Sequence, residues 1–133
     1  MEIAEVERNY IDNLDRLDDA GSQCDYLMML GLQDRVREDV KKDCYRIGGC
    51  KTAIWIKTEI KDGKVCFIGD SDSLLVRGIL AILSTLYNER LPQEVGNHPP
   101  SFLNYISDEV IYPEIKQNGI LKCYKRLAAL SIN

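Results

Sequence analysis

The sequence lacks the features that identify membrane-spanning and secreted proteins. None of its apolar runs approaches the roughly 18–20 residues that a membrane-spanning helix needs. The first 19 residues are acidic and amphipathic, whereas a signal peptide has a basic start and an apolar centre. We therefore expect a cytoplasmic protein without a membrane partner. A length of 133 residues suggests a single domain, residues 1–133, with one hydrophobic core.

Histidine is nearly absent, and the cysteines lack the spacing of a metal site. His98 is the only histidine, and none of the five cysteines belongs to a Cys-x-x-Cys pair. A four-ligand structural zinc site is therefore not expected. A hydrolytic cysteine normally uses a positioned histidine as its base. We expect His98 to be a solvated residue of a proline turn. No phosphate-binding glycine loop or nucleotide fingerprint occurs.

Acidic side chains outnumber basic ones. The formal net charge is −4 and the isoelectric point is about 5.0. Nucleic acid is therefore not expected as a partner, because phosphate binding needs a clustered positive surface. The charges are uneven, since residues 1–20 carry seven acidic side chains against two arginines, and residues 113–133 carry four basic side chains against one acidic. We interpret both segments as solvated helix faces, with a docking surface as the alternative.

The hydrophobic pattern predicts several amphipathic helices. Apolar residues recur at helical spacing in residues 3–17, 75–86 and 113–130. A further helix is expected to begin near Ser22 and to end at Gly31. Residues 34–45 are strongly charged and have little apolar surface to bury, so they are expected to form an exposed loop with a short helical turn.

A β-hairpin is predicted between these helices. Residues 52–60 alternate between two faces as a strand does, and Asp62-Gly63 is a strong hairpin signal. Because two strands rarely form a stable sheet alone, a third strand is expected at residues 45–48. The predicted fold class is α+β, with helices packed on one face of a small antiparallel three-stranded sheet.

One thiol stands on a glycine-hinged loop directly before the hairpin, in the run Ile47-Gly48-Gly49-Cys50-Lys51-Thr52. Glycine accepts backbone conformations that other residues rarely adopt, so this loop can bend sharply. Lys51 and other nearby basic residues, with the free amides of the loop, would favour the thiolate, which is the reactive form. We predict that alkylating reagents modify Cys50 before the other cysteines. An inert loop thiol is the alternative.

Four short motifs occur in the order in which a known family carries them. They are Tyr26-Leu27 with Leu30-Gly31, Gly49-Cys50-Lys51-Thr52-Ala53-Ile54-Trp55, Gly69-Asp70-Ser71-Asp72-Ser73-Leu74-Leu75-Val76-Arg77-Gly78, and Asn118-Gly119-Ile120. Together they resemble the SufE family, the sulfur acceptors that work with cysteine desulfurases. Two positions depart from the family pattern, because Lys51 stands where glutamine is common and Lys116 where arginine is usual. Lysine lacks the fork of donors that arginine offers.

The resemblance implies a single SufE-like domain that carries persulfide sulfur and is not a stand-alone enzyme. A SufS-like cysteine desulfurase would donate the sulfur to Cys50, and an iron–sulfur scaffold protein would receive it. The carrier would stimulate the desulfurase and need no cofactor of its own, since pyridoxal phosphate would belong to the partner. Ile47 and Trp55 are candidates for sheltering the sulfur, although a position in the core of the sheet is the simpler interpretation of Trp55.

The resemblance also implies a set of residues that position the loop or bind the partner. They are Gly48, Gly49, Lys51, Thr52, Asp70, Ser71, Asp72, Lys116, Asn118 and Gly119. For Asp70, Ser71 and Asp72, capping of the following helix is the alternative that needs no partner. No metal ligand is included.

Two other functions stay open. Scaffold proteins of the same pathway share the fold that the resemblance implies, and they hold a metal or nascent cluster on about three cysteines. Cys44 or Cys66 would then have to converge on Cys50. A redox-regulated binding module would instead form a reversible disulfide between Cys44 and Cys50.

Overall fold

The chain begins with two helices, continues through a β-hairpin into a third helix, and ends in a second helical run. The computed structural model describes residues 1–132. Its elements are α1 (Ile3–Asp15), α2 (Ala20–Gln33), β1 (Ile54–Lys61), β2 (Lys64–Ser71), α3 (Leu74–Tyr87), α4 (Pro92–Gly96), α5 (Pro113–Ile115), a π-helical turn (Lys116–Ile120) and α6 (Leu121–Ala129). Short 3₁₀ turns cover Glu38–Val40, Asp43–Tyr45, Ser101–Tyr105 and Leu130–Ile132. The α+β class predicted from the sequence is confirmed.

The predicted hairpin is present, with its turn at Asp62-Gly63. β1 and β2 pair antiparallel along their whole length, from Ile54 opposite Ser71 to Lys61 opposite Lys64. The backbone φ angle is 54° at Asp62 and 79° at Gly63. A tight hairpin turn of this kind requires positive φ at both central residues, and Asp-Gly supplies it at low cost.

The sheet has two strands in the described part of the chain, and the predicted third strand is reduced to one bridge. Arg46 bridges Trp55, and the Ile47 amide donates to the Ile54 carbonyl at 2.8 Å. Residues 43–45 before this point form a 3₁₀ turn, and residues 48–49 after it form another turn. Only two residues are therefore extended enough to pair with β1.

The two faces of the hairpin have different environments. The face toward α3 is apolar and buried, and it carries Ile54, Ile56, Val65 and Phe67. The opposite face carries Trp55, which is half-buried and has the Lys41 ammonium 5.6 Å from its ring centre. Trp55 is thus not the core residue of the sheet that the simpler interpretation predicted.

Asn88 and the residues after it cover the outer edge of β2. The Asn88 side-chain amide accepts from the Phe67 N–H at 2.7 Å and donates to the Phe67 carbonyl at 3.1 Å. The backbone groups of Val65 bond to Glu89 and Arg90, both at 2.8 Å. These contacts satisfy backbone groups that an open edge would offer to another chain.

The buried stripe of α3 forms the centre of the core. Its members are Val76, Ile79, Leu80, Ile82, Leu83, Leu86 and Tyr87. Side chains from α1, α2, the hairpin and α6 belong to the same buried cluster. In the part of the chain that the structure describes, no helix is both long enough and apolar enough to cross a membrane.

Two glycines let the backbones of α2 and α3 touch. A Cβ atom at Gly78 would overlap the backbone carbonyl of Leu27, and one at Gly31 would overlap that of Leu74. Gly31 lies inside α2, which continues to Gln33, so the prediction that the helix ends at Gly31 is wrong. The predicted start is also displaced, because Asp19 caps the helix by accepting from the Ser22 amide at 2.7 Å.

His98 is partly buried and paired, in contrast to the solvated position expected. Its Nε2 atom lies 2.7 Å from Oε1 of Glu7, whose side chain is 4% exposed. The same carboxylate accepts from the Ser101 hydroxyl at 3.0 Å and from the Phe102 amide at 3.1 Å. A buried carboxylate needs such partners, and this one joins α1 to residues 98–102.

The contact between α2 and α3 yields a stability prediction for Gly78→Ala. Alanine favours a helix over glycine by about 1 kcal/mol, but the new Cβ would force the two backbones apart. We expect a net loss of about 1–3 kcal/mol in the free energy of unfolding, measured by urea denaturation. Gly48→Ala is the control, because its Cβ meets no atom within 4 Å. Equal stability of the two variants would contradict the close contact.

Candidate functional site

Cys50 turns inward from an otherwise exposed loop. Its side chain is 7% exposed and belongs to the main buried cluster. Gly48 and Gly49 before it are both exposed, and Gly49 has a φ of 84°, which glycine adopts at no steric cost. The loop thus shows its backbone to solvent while its thiol is sheltered, as expected for a sulfur that is protected at rest.

The π-helical turn makes room for the thiol. A Cβ atom at Gly119 would lie 3.1 Å from the Cys50 Sγ atom and 2.8 Å from Cδ1 of Ile54. Only glycine fits there without displacing one of these atoms. π-helical turns are rare and are frequent at functional sites. The sequence predicts Asn118-Gly119 early in a terminal helix, and the structure shows that this dipeptide is where the helix widens beside Cys50.

A second thiol lies one helical turn beyond Gly119. Cys123 is fully buried. Burial raises the pKa of the Cys123 thiol to about 12, while the positive charge of Arg126 opposes this rise and negative charge on Cys50 adds to it. Cys123 is therefore protonated at neutral pH and is a poor nucleophile, because the thiolate is the reactive species.

Two cations of α6 bond to backbone carbonyls, one in the loop and one just before it. The Lys122 ammonium donates to the Gly48 carbonyl at 2.6 Å, and the Arg126 guanidinium donates to the Arg46 carbonyl at 3.4 Å. The sequence predicts a solvated basic face here and misses both contacts. The available signal was spacing, since residues four apart on a helix share one face and this pair follows the Asn118-Gly119 motif closely.

A groove beside the loop has a volume of about 430 Å³. Its lining consists of Ile47, Gly48, Lys122, Lys125 and Arg126. A larger cavity of about 870 Å³ lies along β2 and does not include Cys50 in its lining. The space next to the thiol loop is therefore the smaller, basic groove.

Asp70 and Ser71 are buried supports of the loop. The Asp70 carboxylate is 1% exposed, accepts from the amides of Arg37 and Ser71 at 2.7 Å, and pairs with Nε of Arg77 at 3.1 Å. The Ser71 hydroxyl donates to the Ala53 carbonyl at 2.7 Å, three residues after Cys50. Their burial leaves no surface for a partner.

Helix capping, the alternative considered for this motif, belongs to Ser73. Its hydroxyl accepts from the Val76 amide at 3.3 Å at the start of α3. Asp72 is the member of the motif that faces solvent, with a side chain 68% exposed and a carboxylate 3.8 Å from the Lys41 ammonium. Asp72 is thus the acid of this motif that a partner can reach.

The other predicted site residues surround the loop at varying depth. Lys51 is exposed and Thr52 is half-buried, while Lys116 and Asn118 are half-buried in the π-helical turn. Of the two side chains expected to shelter the sulfur, Ile47 is buried in the same cluster as Cys50. Trp55 lies on the opposite face of the hairpin, so it does not contribute to that shelter.

The remaining cysteines do not join Cys50 in a ligand set. All five are free thiols, with Cys44 exposed, Cys24 and Cys66 half-buried, and Cys123 buried. Among residues 1–132, no three side chains of the metal-binding types are grouped to hold an ion. The convergence of cysteines that a cluster scaffold requires is therefore not found in this range.

Thiol exposure changes the expected order of alkylation. Because Cys44 is exposed and Cys50 is 7% exposed, we expect iodoacetamide to modify Cys44 first in the native protein. Peptide mass mapping after short exposures measures the order, and labelling in urea should remove the difference. Modification of Cys50 before Cys44 would show that the loop is open at rest.

The variant Gly119→Ala tests whether the Cys50 sulfur packs against Gly119. The added methyl would displace Cys50 or Ile54, so we expect faster alkylation of Cys50 and a loss of about 1–3 kcal/mol in the free energy of unfolding. Gln117→Ala is the control, since Gln117 is an exposed residue of the same turn. An unchanged rate of Cys50 labelling in Gly119→Ala would place the thiol elsewhere.

Two known proteins are similar in sequence to most of this chain. An uncharacterized SufE-like protein of Synechocystis, slr1419, is 26% identical over 123 residues, and the match covers 92% of this chain and 77% of that protein. The sulfur acceptor protein CsdE of Escherichia coli is 33% identical over 99 residues, covering 73% of this chain and 65% of CsdE, just under two thirds of its length.

The fold and the family agree with the motifs. The solution structure of a hypothetical protein from Thermus thermophilus superposes with a TM-score of 0.70 at 16% identity, covering 96% of this chain and 93% of the other, and so shows the same fold. The family described as "SufE: Fe-S metabolism associated domain" matches residues 8–130. The resemblance carried by the motifs is thereby confirmed, and this chain belongs to the SufE family.

Proposed function

We propose that this protein accepts sulfur from a cysteine desulfurase as a persulfide on Cys50 and passes it to an iron–sulfur scaffold protein. One observation carries the proposal: Cys50 is buried against Gly119 at the end of an exposed glycine loop. A sulfur carrier needs a thiol that is sheltered at rest and able to reach another protein. The name of the relative in Escherichia coli, a sulfur acceptor, supports the same function.

The transfer step is a thiol exchange. The Cys50 thiolate attacks the terminal sulfur of the partner's persulfide and forms a new S–S bond. The bond between the partner's two sulfur atoms breaks, and the partner's cysteine leaves as a thiolate. One proton moves with the terminal sulfur, so no external oxidant or reductant is required.

The contacts on either side of the loop define which residues move. Before it, the Ile47 amide bonds to the Ile54 carbonyl at 2.8 Å. After it, the Ser71 hydroxyl and the Asp72 amide both bond to the Ala53 carbonyl, at 2.7 and 3.3 Å. Residues 48–52 lie between these anchors. The loop can therefore swing outward without any change in the hairpin.

The resting position of Cys50 shelters its sulfur. The side chain is 7% exposed, and the backbone of Gly119 and the side chain of Ile54 lie beside it. Cys123 is nearby, and a reactive thiol there would attack a persulfide on Cys50. Its raised pKa keeps Cys123 protonated at neutral pH, so the loaded sulfur is protected from that reaction.

The proposal assigns the remaining chemistry to the partners. The desulfurase, SufS-like in type, would hold pyridoxal phosphate and release sulfur from free cysteine, and the carrier would stimulate it by removing the product sulfur. The carrier itself then needs no cofactor and no nucleic acid. We place the relay in the cytoplasm, where free cysteine is available.

The test is a sulfur-loading reaction with a cysteine desulfurase, pyridoxal phosphate and free cysteine. We expect the intact mass to rise by one sulfur atom, the added mass to disappear with dithiothreitol, and Cys50→Ser to abolish it. Cys44→Ser is the matched control and should load normally, because Cys44 is an exposed thiol outside the buried cluster that contains Cys50.

Three outcomes would contradict the proposal. They are loading of Cys50→Ser, equal stimulation of the desulfurase by Cys50→Ser and the parent, and retention of iron or zinc by the desalted protein in place of sulfur.

A further inference from the structure

The hinge of the thiol loop is bonded to a charged side chain. The Lys122 ammonium donates to the Gly48 carbonyl at 2.6 Å. A Cβ atom at Gly49 would lie 2.7 Å from the same ammonium, so this group rests against both hinge glycines. A carbonyl bonded to a cation is held more firmly than one bonded to water or to a neutral donor. Outward movement of the loop at Gly48 would stretch or break this bond.

The surroundings of Lys122 are basic, although the whole protein has a net charge of −4. Lys125 and Arg126 line the same groove. No carboxylate lies within ion-pair distance of these three cations in residues 1–132. The groove therefore offers three positive charges, next to the reactive loop, that an acidic partner would neutralise.

We infer that Lys122 is a latch on the thiol loop, and that an acidic segment of the desulfurase opens it by drawing the ammonium away from the Gly48 carbonyl. This inference rests on the proposed function, because it names the desulfurase as the partner. A carboxylate forms a stronger hydrogen bond with an ammonium than a neutral carbonyl does. Docking in the groove thus releases the hinge at the moment when the sulfur donor arrives.

Lys125 and Arg126 act differently from Lys122. Lys125 is exposed and lines the groove. Arg126 bonds to the Arg46 carbonyl, which lies before the anchored residue Ile47. Neither restrains residues 48–52 directly. They attract the acidic segment, and Lys122 converts its arrival into loop opening.

The first test measures alkylation of Cys50 in a Cys44→Ser background, without any desulfurase. Lys122→Met keeps the length of the side chain and removes the charge. We expect it to raise the labelling rate about tenfold, the effect of losing one charge-assisted hydrogen bond. Lys125→Met is the matched control and should label at the parent rate, and Lys122→Arg should restore slow labelling. Labelling of Lys122→Met at the parent rate would overturn the latch.

The second test adds poly-L-glutamate as the acidic probe. It should accelerate labelling of Cys50 in the parent, lose its effect at high salt, and leave the rate of Lys122→Met unchanged. Poly-L-lysine at the same ionic strength is the control and should have no effect. Absence of acceleration in the parent, or equal acceleration in the parent and Lys122→Met, would contradict opening by an acidic segment.

The sulfur-loading reaction tests whether the desulfurase is the acidic partner. If its docking segment is acidic, the initial rate of sulfur loading on Cys50 should fall as salt is raised, because screening weakens attraction between exposed charges. Loading at a rate independent of salt would overturn the acidic partner while leaving sulfur acceptance intact. Absence of loading at every salt concentration would instead contradict the proposed function, and the labelling results would still decide whether the latch exists.

Discussion

The Cys50 sulfur occupies the space that the missing side chain of Gly119 leaves open, and the arrangement of the site follows from this contact. A Cβ at Gly119 would come within 3.1 Å of the sulfur. The final helical run must therefore pass close to the loop, and it does so as a π-helical turn followed by α6. This approach brings Lys122 to the hinge and places Cys123 near the sulfur. The shelter of the Cys50 sulfur, the Lys122 latch and the position of Cys123 therefore all result from the close approach of this helical run to the loop.

A carrier thiol has two opposing requirements, since it must be buried when idle and accessible during transfer. The chain meets them by separating anchors from the moving part. Ile47 and Ala53 are hydrogen-bonded to the hairpin, and between them the Gly48 carbonyl is bonded to Lys122 while the Cys50 side chain packs in the buried cluster. A typical hydrogen bond contributes about 0.5–1.5 kcal/mol net. Opening the loop therefore costs an amount that docking of a protein partner can supply.

The sequence predicts what depends on neighbouring residues and misses what depends on distant ones. The Asp62-Gly63 turn, the alternation of β1 and the glycine hinge are local patterns, and all three are present. The bond between Lys122 and Gly48 joins residues 74 positions apart, so no local pattern encodes it. The predicted third strand is reduced to one bridge, because the turns on either side leave only two residues extended. Burial of Cys50 likewise depends on a helix far along the chain.

The segment from Gly69 to Gly78 shows why one motif combines acids, serines, arginine and glycine. Asp70 is a buried carboxylate that must be paired, and Arg77, in the first turn of α3, supplies the charge at 3.1 Å. The same arginine bonds to the carbonyl of Asp34, so the charged segment before the thiol loop is held as well. A buried ion pair adds little net stability, but breaking one is costly. Its contribution is to fix the position from which the neighbouring Ser71 anchors the loop.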